Sequence, residues 1–306
     1  MIMKTPHLPL THLLLALAVA AVWGSNFVVI KIGLGDLPPL FFAALRYCLV
    51  IFPWIFFFRR PKVVWWHLAA YGILIGVGQI GIVYIALQHD ISPGLASVIL
   101  PTNAFFTIGL SMWIRKERIH TFQIFALSLA AAGLCVILMH GGYEATLLGI
   151  TLTLLAAFCW AIASIIAKSD GHVNMLAYVI WSSLFAIPPL LLLSFLFEGW
   201  SAIQTGLLHA NIGTGLVVLH QSLSNTIFGY GVWAWLLAKH PAATIAPFSL
   251  LTPVFGISSA AIFLSEPLQT WKLSAAALVL SGLILNLLWR HLKLFWPRGV
   301  ASSQSQ

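Results

Sequence analysis

Eight residues after Pro38, Arg46 stands inside the apolar run Leu40-Phe41-Phe42-Ala43-Ala44-Leu45 and onward. At 1.5 Å of rise per residue, its Cα falls about 12 Å along a helix that starts at Pro38. A guanidinium at that depth has two readings. It faces an internal cavity, where its planar fork suits a carboxylate, or its long stem carries the charge out to an interface. Trp23, Asn26 and Lys31 form a second set. Asn26 shares a helix face with Trp23, three residues earlier, and Lys31 lies further along the same helix. This stripe either lines the same cavity or resolves into an interhelical hydrogen bond from Asn26 and a snorkelling lysine.

The densest polar cluster is His220, Gln221, Ser222, Ser224 and Asn225, with Tyr230 beyond it. On an α-helix His220, Ser224 and, one position off, Asn225 fall on neighbouring faces. Gln79, Tyr84 and Asn103 add polarity at mid-depth of two other apolar runs. Each of these residues alone could serve as a hydrogen bond between helices, whereas together they favour a polar cavity. Trp23, Trp160 and Trp181 are further candidates to line it, packing being the alternative for each. No catalytic constellation accompanies them. Of the 11 His, His220 alone sits deep in an apolar run, and no carboxylate does. Cys48, Cys135 and Cys159 have no ligand-like spacing, so neither a disulfide framework, a metal site nor a cofactor is indicated.

The elements that must position these residues follow from composition. Of 306 residues 60% are hydrophobic and 7% charged, against about 25% charged in soluble proteins. The mean hydropathy is +0.99. A water-soluble core is excluded, and the net charge of +8 reads as membrane orientation rather than nucleic-acid binding. Apolar runs long enough to cross a bilayer cover 12–33, 38–58, 66–87, 91–114, 121–139, 147–168, 174–197, 211–237, 241–264 and 271–290. They are solidly apolar rather than alternating, so helices are expected, not barrel strands. The cleavage-like Ala16-Leu17-Ala18 suggests a secretory signal, but the apolar run continues to Ile32 and reads as a retained first helix. With the N-terminus in the cytoplasm, all 15 Lys and Arg fall inside except Lys31 and Lys272, at the outer face, and Arg46, within a span. That bias puts both termini in the cytoplasm of a multi-pass inner-membrane protein.

Laying the first five spans on the last five exposes an internal repeat. Trp23 precedes Lys31 by the spacing that separates Trp160 from Lys168, Glu117 matches Glu266, and Pro93 matches Pro241. Five spans per copy invert the second copy, giving units 1–143 and 144–306. The expected architecture is an all-α integral membrane protein of ten transmembrane helices, two inverted five-helix repeats around a central cavity.

The run Val22-Trp23-Gly24-Ser25-Asn26-Phe27-Val28-Val29-Ile30-Lys31, Leu45-Arg46-Tyr47, Arg60-Pro61-Lys62, Pro93-Gly94-Leu95-Ala96-Ser97, Glu117-Arg118 and Ser249-Leu250-Leu251-Thr252-Pro253-Val254 with Glu266 resemble the EamA group of the drug/metabolite transporters. The resemblance runs over nearly the whole chain and is nearest to bacterial exporters of cysteine-pathway metabolites and other amino acids. It implies the two-repeat fold, a central cavity and alternating access. Leu100-Pro101-Thr102-Asn103-Ala104 stands where the nearest relatives would carry a Gln-rich stretch.

The expected function is export of small metabolites, amino acids or their derivatives. The alternatives are a multidrug or other organic-solute exporter and, more remotely, a membrane-embedded enzyme. A cation exporter would want a buried acid to pair with its cargo, and the spans hold none. The expected partners are a small-molecule substrate and membrane lipid, with no nucleic acid and a monomer as the working unit. No cofactor is expected. His220 is the one residue at relay depth, since an unperturbed His titrates near pH 6.5. The expectation is a neutral, hydrogen-bonded His220 and cargo moving down its own gradient.

Overall fold

A computed structural model describes residues 8–115, 121–140, 142, 144–171 and 173–295. Among them the chain is helical, and its single β contact is an isolated bridge between Ile91 and Ala145. We number the helices α1 (Leu10–Gly33), α2 (Pro39–Ile51), α3 (Trp65–His89), α4 (Pro93–Ile114), α5 (Thr121–His140), α6 (Leu147–Ser169), α7 (Met175–Leu193), α8 (Gly199–His209), α9 (212–239), α10 (Ala246–Leu264) and α11 (Thr270–Phe295). Seven helical stretches among the described residues are long and apolar enough to cross a membrane. Large apolar side chains such as Leu192, Phe195, Phe197, Ile262 and Phe263 stand exposed along them, as a lipid-facing surface requires.

The departures from regular α-helix have local causes. The second apolar run was expected to stay helical to residue 58. Instead α2 ends at Ile51, and only a short 3₁₀ turn, Trp54–Phe56, follows. Pro53 explains this, because it has no N–H to donate and disfavours helical geometry in Phe52 before it. Pro101 falls in a 3₁₀ step, Leu100–Thr102, inside α4, and Pro247 in another, Ala246–Leu251, opening α10. The seventh run continues as π-helix through Ser194–Glu198 and breaks at Gly199, whose φ of +80° is open to glycine. The stretch after it, expected as a connection, forms α8.

Glu198, at that break, caps a different helix. Its Oε1 accepts from the Leu40 N–H at 2.6 Å and its Oε2 from the Phe41 N–H at 3.2 Å. Those amides have no partner within α2, and the helix dipole favours a carboxylate there. Small residues set the closest helix approaches. A Cβ at Gly72 would lie 2.0 Å from the Ser182 carbonyl oxygen, and one at Gly76 would lie 2.4 Å from the Ala186 Cβ. α3 therefore packs on α7 with no room for a side chain between them. In the same way Gly24 of α1 lies against Thr252 and Phe255 of α10. Buried Lys272 pairs with Glu144 and with Glu266 at 3.5 Å. Glu117, matched to Glu266 in the repeat, lies outside the described residues.

Candidate functional site

Arg46 is buried midway along α2. Its Nη1 donates to the Tyr84 hydroxyl at 3.3 Å and to Gln221 Oε1 at 3.1 Å, and its Nη2 donates to Thr226 Oγ1 at 2.8 Å. The Tyr84 hydroxyl donates to the same Gln221 oxygen at 3.1 Å, and the Gln221 amide nitrogen donates to Asn26 Oδ1 at 2.7 Å. Four helices, α1, α2, α3 and α9, thus meet through one buried polar network. Gln221 is fully buried, and Asn26, Tyr84 and Thr226 nearly so, so each bond removes a desolvation penalty as well as adding an attraction.

The backbone of α9 makes this arrangement possible. From His220 to Phe228 it is π-helical, and the wider turn brings residues five apart onto one side. Thr226 donates from its hydroxyl to the Gln221 carbonyl at 3.0 Å, and both residues point at Arg46. Ser222 Oγ holds α2 from the same segment, donating to the Arg46 carbonyl at 2.9 Å.

One guanidinium nitrogen stays out of the network. Among the described residues Arg46 Nε is buried without a partner, as is the hydroxyl of neighbouring Tyr47. Both residues border a cavity whose walls also include Tyr71, Ser182, Ser183 and Tyr230. The two serines donate back to the Val179 carbonyl at 3.0 and 2.7 Å. The free volume is about 10 Å³, roughly what one water molecule needs. Among the described residues no carboxylate lines the cavity, and none lies within ion-pair distance of Arg46. The charge is held only by neutral dipoles.

Comparison with known proteins adds identity to this geometry. Residues 10–139 and again 147–288 match the EamA-like transporter family. The chain belongs to that family. It is 41% identical to a Salmonella typhimurium protein named as a probable amino-acid metabolite efflux pump, with 89% of this chain and 93% of that one covered. A protein of the same name from Escherichia coli is 39% identical, over 90% and 95% of the two chains. A solved crystal structure superposes with a TM-score of 0.60 over 92% of this chain and 99% of the other at 16% identity, a likeness of fold alone. This EamA protein is a multi-pass membrane transporter and not an enzyme.

Of the residues expected at the transporter's site, Arg46 and Tyr230 border the cavity, while Tyr84 and Asn26 belong to the network behind it. Trp23 lies alongside. Its Nε1 donates to the Asn225 carbonyl at 3.1 Å, and its ring meets those of Tyr230 and Trp233 at 5.7 and 5.3 Å. Asn225 is buried and Ser224 half-buried on α9, and the Nδ1 of half-buried His220 has no partner among the described residues. The others stand apart from the cavity walls. Lys31 donates to the Leu87 and Gln88 carbonyls at 2.8 and 2.9 Å, closing the C-terminus of α3. Trp181 donates to the Phe58 carbonyl at 2.9 Å. Gln79 and Asn103 are half-buried on α3 and α4, and Trp160 packs on the apolar core from α6. Tyr47, Tyr71, Ser182, Ser183 and Thr226 were not foreseen. Only Tyr47, adjoining Arg46, had a signal in the chain.

Proposed function

We propose that this transporter exports small metabolites, chiefly amino acids and their derivatives, from the cytoplasm across the bacterial inner membrane. Arg46 carries the reading. A buried cation with a free Nε and only neutral partners is incomplete without an anion, because desolvating it costs far more than neutral dipoles return. A carboxylate supplies that anion and matches the guanidinium fork. Three tyrosines offer flat apolar surface and hydroxyls to the rest of the solute. The relatives named as amino-acid metabolite efflux pumps belong to the same substrate class. A cationic drug would meet the repulsion of Arg46 and no acid. Since the cavity holds only about 10 Å³, cargo enters when helices part, as alternating access requires.

The architecture that supports this motion is two inverted repeats, 1–143 and 144–306, of five spans each. The family matches the chain twice. π-helical segments occur in α3 and α9, and 3₁₀ steps in α4 and α10, each pair at corresponding places in the two units. Packing repeats as well: α1 lies on α10 as α6 lies on α4, and α6 on α3 as α1 on α9. The charge bias puts both termini in the cytoplasm. Cysteines introduced near Gly142 and near Arg60 are expected to label from opposite sides, the former from outside, and labelling from one side would contradict this topology. The functional test is counterflow of single amino acids in proteoliposomes, with amino-acid amides as controls. Uptake of the acids and exclusion of the amides is expected, and equal uptake of both would overturn the role of Arg46.

A further inference from the structure

Between the end of α2 and the start of α7 the chain encloses a second hollow of about 620 Å³, open to the surrounding medium and well within the range of small-molecule sites. Arg59, Arg60 and Lys62 stand on one wall, Asp170 and Asn174 on the other. These charges are not equivalent. Arg60 is committed: its Nη2 donates to the Val63 carbonyl at 3.0 Å and its guanidinium lies 4.1 Å from the centre of the Trp65 ring. Asp170 is committed too, accepting the Tyr178 hydroxyl at 2.8 Å and pairing with His67. Arg59 and Lys62 are exposed, and neither has a carboxylate within ion-pair distance among the described residues. Two uncommitted cations in a concave wall focus a positive field into it and concentrate anions there.

The hollow and the Arg46 cavity are adjacent along α7. Asn174 and Ala177 line the first, and Val179, Ser182 and Ser183 the second. Tyr178 stands between them. Its hydroxyl is tied to Asp170 on the wall of the hollow, and its ring meets Tyr71, a wall of the cavity, at 5.0 Å and 85°. Nothing in the network around Arg46 uses Arg59 or Lys62.

We propose that this vestibule is a second binding site for carboxylate-bearing cargo, held by Arg59 and Lys62, from which cargo passes the Tyr71–Tyr178 pair to reach Arg46. The inference rests on the export reading above and names the waiting site on its cytoplasmic side. The double variant Arg59→Gln/Lys62→Gln is expected to raise the KM for amino acids about threefold to tenfold, the loss of two exposed charge contacts, with the maximal rate retained. The charge-keeping pair Arg59→Lys/Lys62→Arg is expected to keep the KM, and added salt to shrink the difference. An unchanged KM in the Gln variant overturns the proposal even where wild-type export is intact.

A second measurement does not depend on transport. In a variant free of Cys48, Cys135 and Cys159, Val173→Cys places a thiol on the vestibule wall. It is expected to react faster with an anionic methanethiosulfonate than with a cationic one, to lose that preference with Arg59→Gln/Lys62→Gln, and to be protected by acetate in detergent and in phosphatidylcholine vesicles. Equal rates for the two reagents overturn the site whatever the cargo. Protection by phosphatidylglycerol that acetate cannot reproduce assigns the cations to a lipid phosphate and overturns it equally.

Discussion

The Gln221 side chain joins two halves of the molecule: its oxygen takes the Arg46 guanidinium at 3.1 Å while its nitrogen gives to Asn26 at 2.7 Å. The amide does both because it carries an acceptor and two donors on one flat group. Gln221→Leu is therefore expected to strand Asn26 and part of Arg46, with a loss of about 2–3 kcal/mol in stability, read as a lower unfolding midpoint in detergent. A midpoint equal to wild type would mean that the network is not held together at Gln221.

Gln221→Glu makes a sharper test. The new carboxylate would become a permanent counter-ion for Arg46, at the distance where Oε1 already sits. Charge-assisted bonds are about twice as strong as neutral ones, so the protein is expected to be as stable as wild type or more so. Export of carboxylate cargo should fall tenfold or more, because an internal rival occupies the guanidinium. Stability and transport moving in opposite directions is the expected outcome, and undiminished flux would place cargo elsewhere.

Arg46→Lys keeps the charge but gives up the planar fork and two of its five donors. Three hydrogen bonds converge from that fork on three side chains, which a lysine cannot reproduce. Transport of amino acids should drop by one to two orders of magnitude, about 1.5–3 kcal/mol of lost charge-assisted bonding. Expression and membrane insertion should persist, and initial-rate uptake beside quantified protein in the membrane checks both.

The site's legibility in the chain divides along physical lines. Arg46 stands out because a charge in an apolar run needs an explanation, and Asn26 and Tyr84 for a weaker form of the same reason. The relevant face of α9 does not. A 3.6-residue period groups His220, Ser224 and Asn225, whereas the π-helical turn turns Gln221 and Thr226 towards Arg46 instead. Nothing in the residue types announces that widening. Lys31 was ambiguous for another reason: the carbonyls it binds belong to the far end of α3, a partner that spacing within α1 cannot reveal. Tyr71 and Ser182 reach the cavity through the close packing of α3 on α7, a tertiary fact. The end of α2 and the break after the π-helical continuation of α7 were readable in principle from Pro53 and Gly199, each with a known local effect.

Gly72 allows that close packing. Gly72→Val would push side-chain atoms onto the Ser182 carbonyl, 2.0 Å from where its Cβ must be, and backbone cannot yield as a side chain can. A destabilisation of at least about 1–3 kcal/mol is expected, together with faster labelling of a cysteine at Ser183 as α3 and α7 separate. Unaltered melting and labelling would show that the two helices can part at no cost.

The last expectation concerns the energy source. Proton-driven carriers commonly relay the ion through a buried acid, and among the described residues the walls around Arg46 contain none. His220 remains as the one histidine at similar depth on α9, and the phenol of Tyr230 beside the cavity ordinarily titrates near pH 10, too high for a proton relay. It does not line the cavity, and none of the hydrogen bonds that bind Arg46 to its neighbours passes through it. Among the described residues its Nδ1 has no partner, contrary to the hydrogen-bonded histidine expected from the sequence, and no chain of side-chain hydrogen bonds leads from it to Arg46. Wild-type protein should therefore catalyse counterflow of cargo in vesicles with a protonophore present, and His220→Gln should retain at least half of that downhill flux. Flux that disappears with the protonophore, or a pH dependence of the wild type that His220→Gln removes, would establish proton coupling through this residue or another and displace the downhill reading.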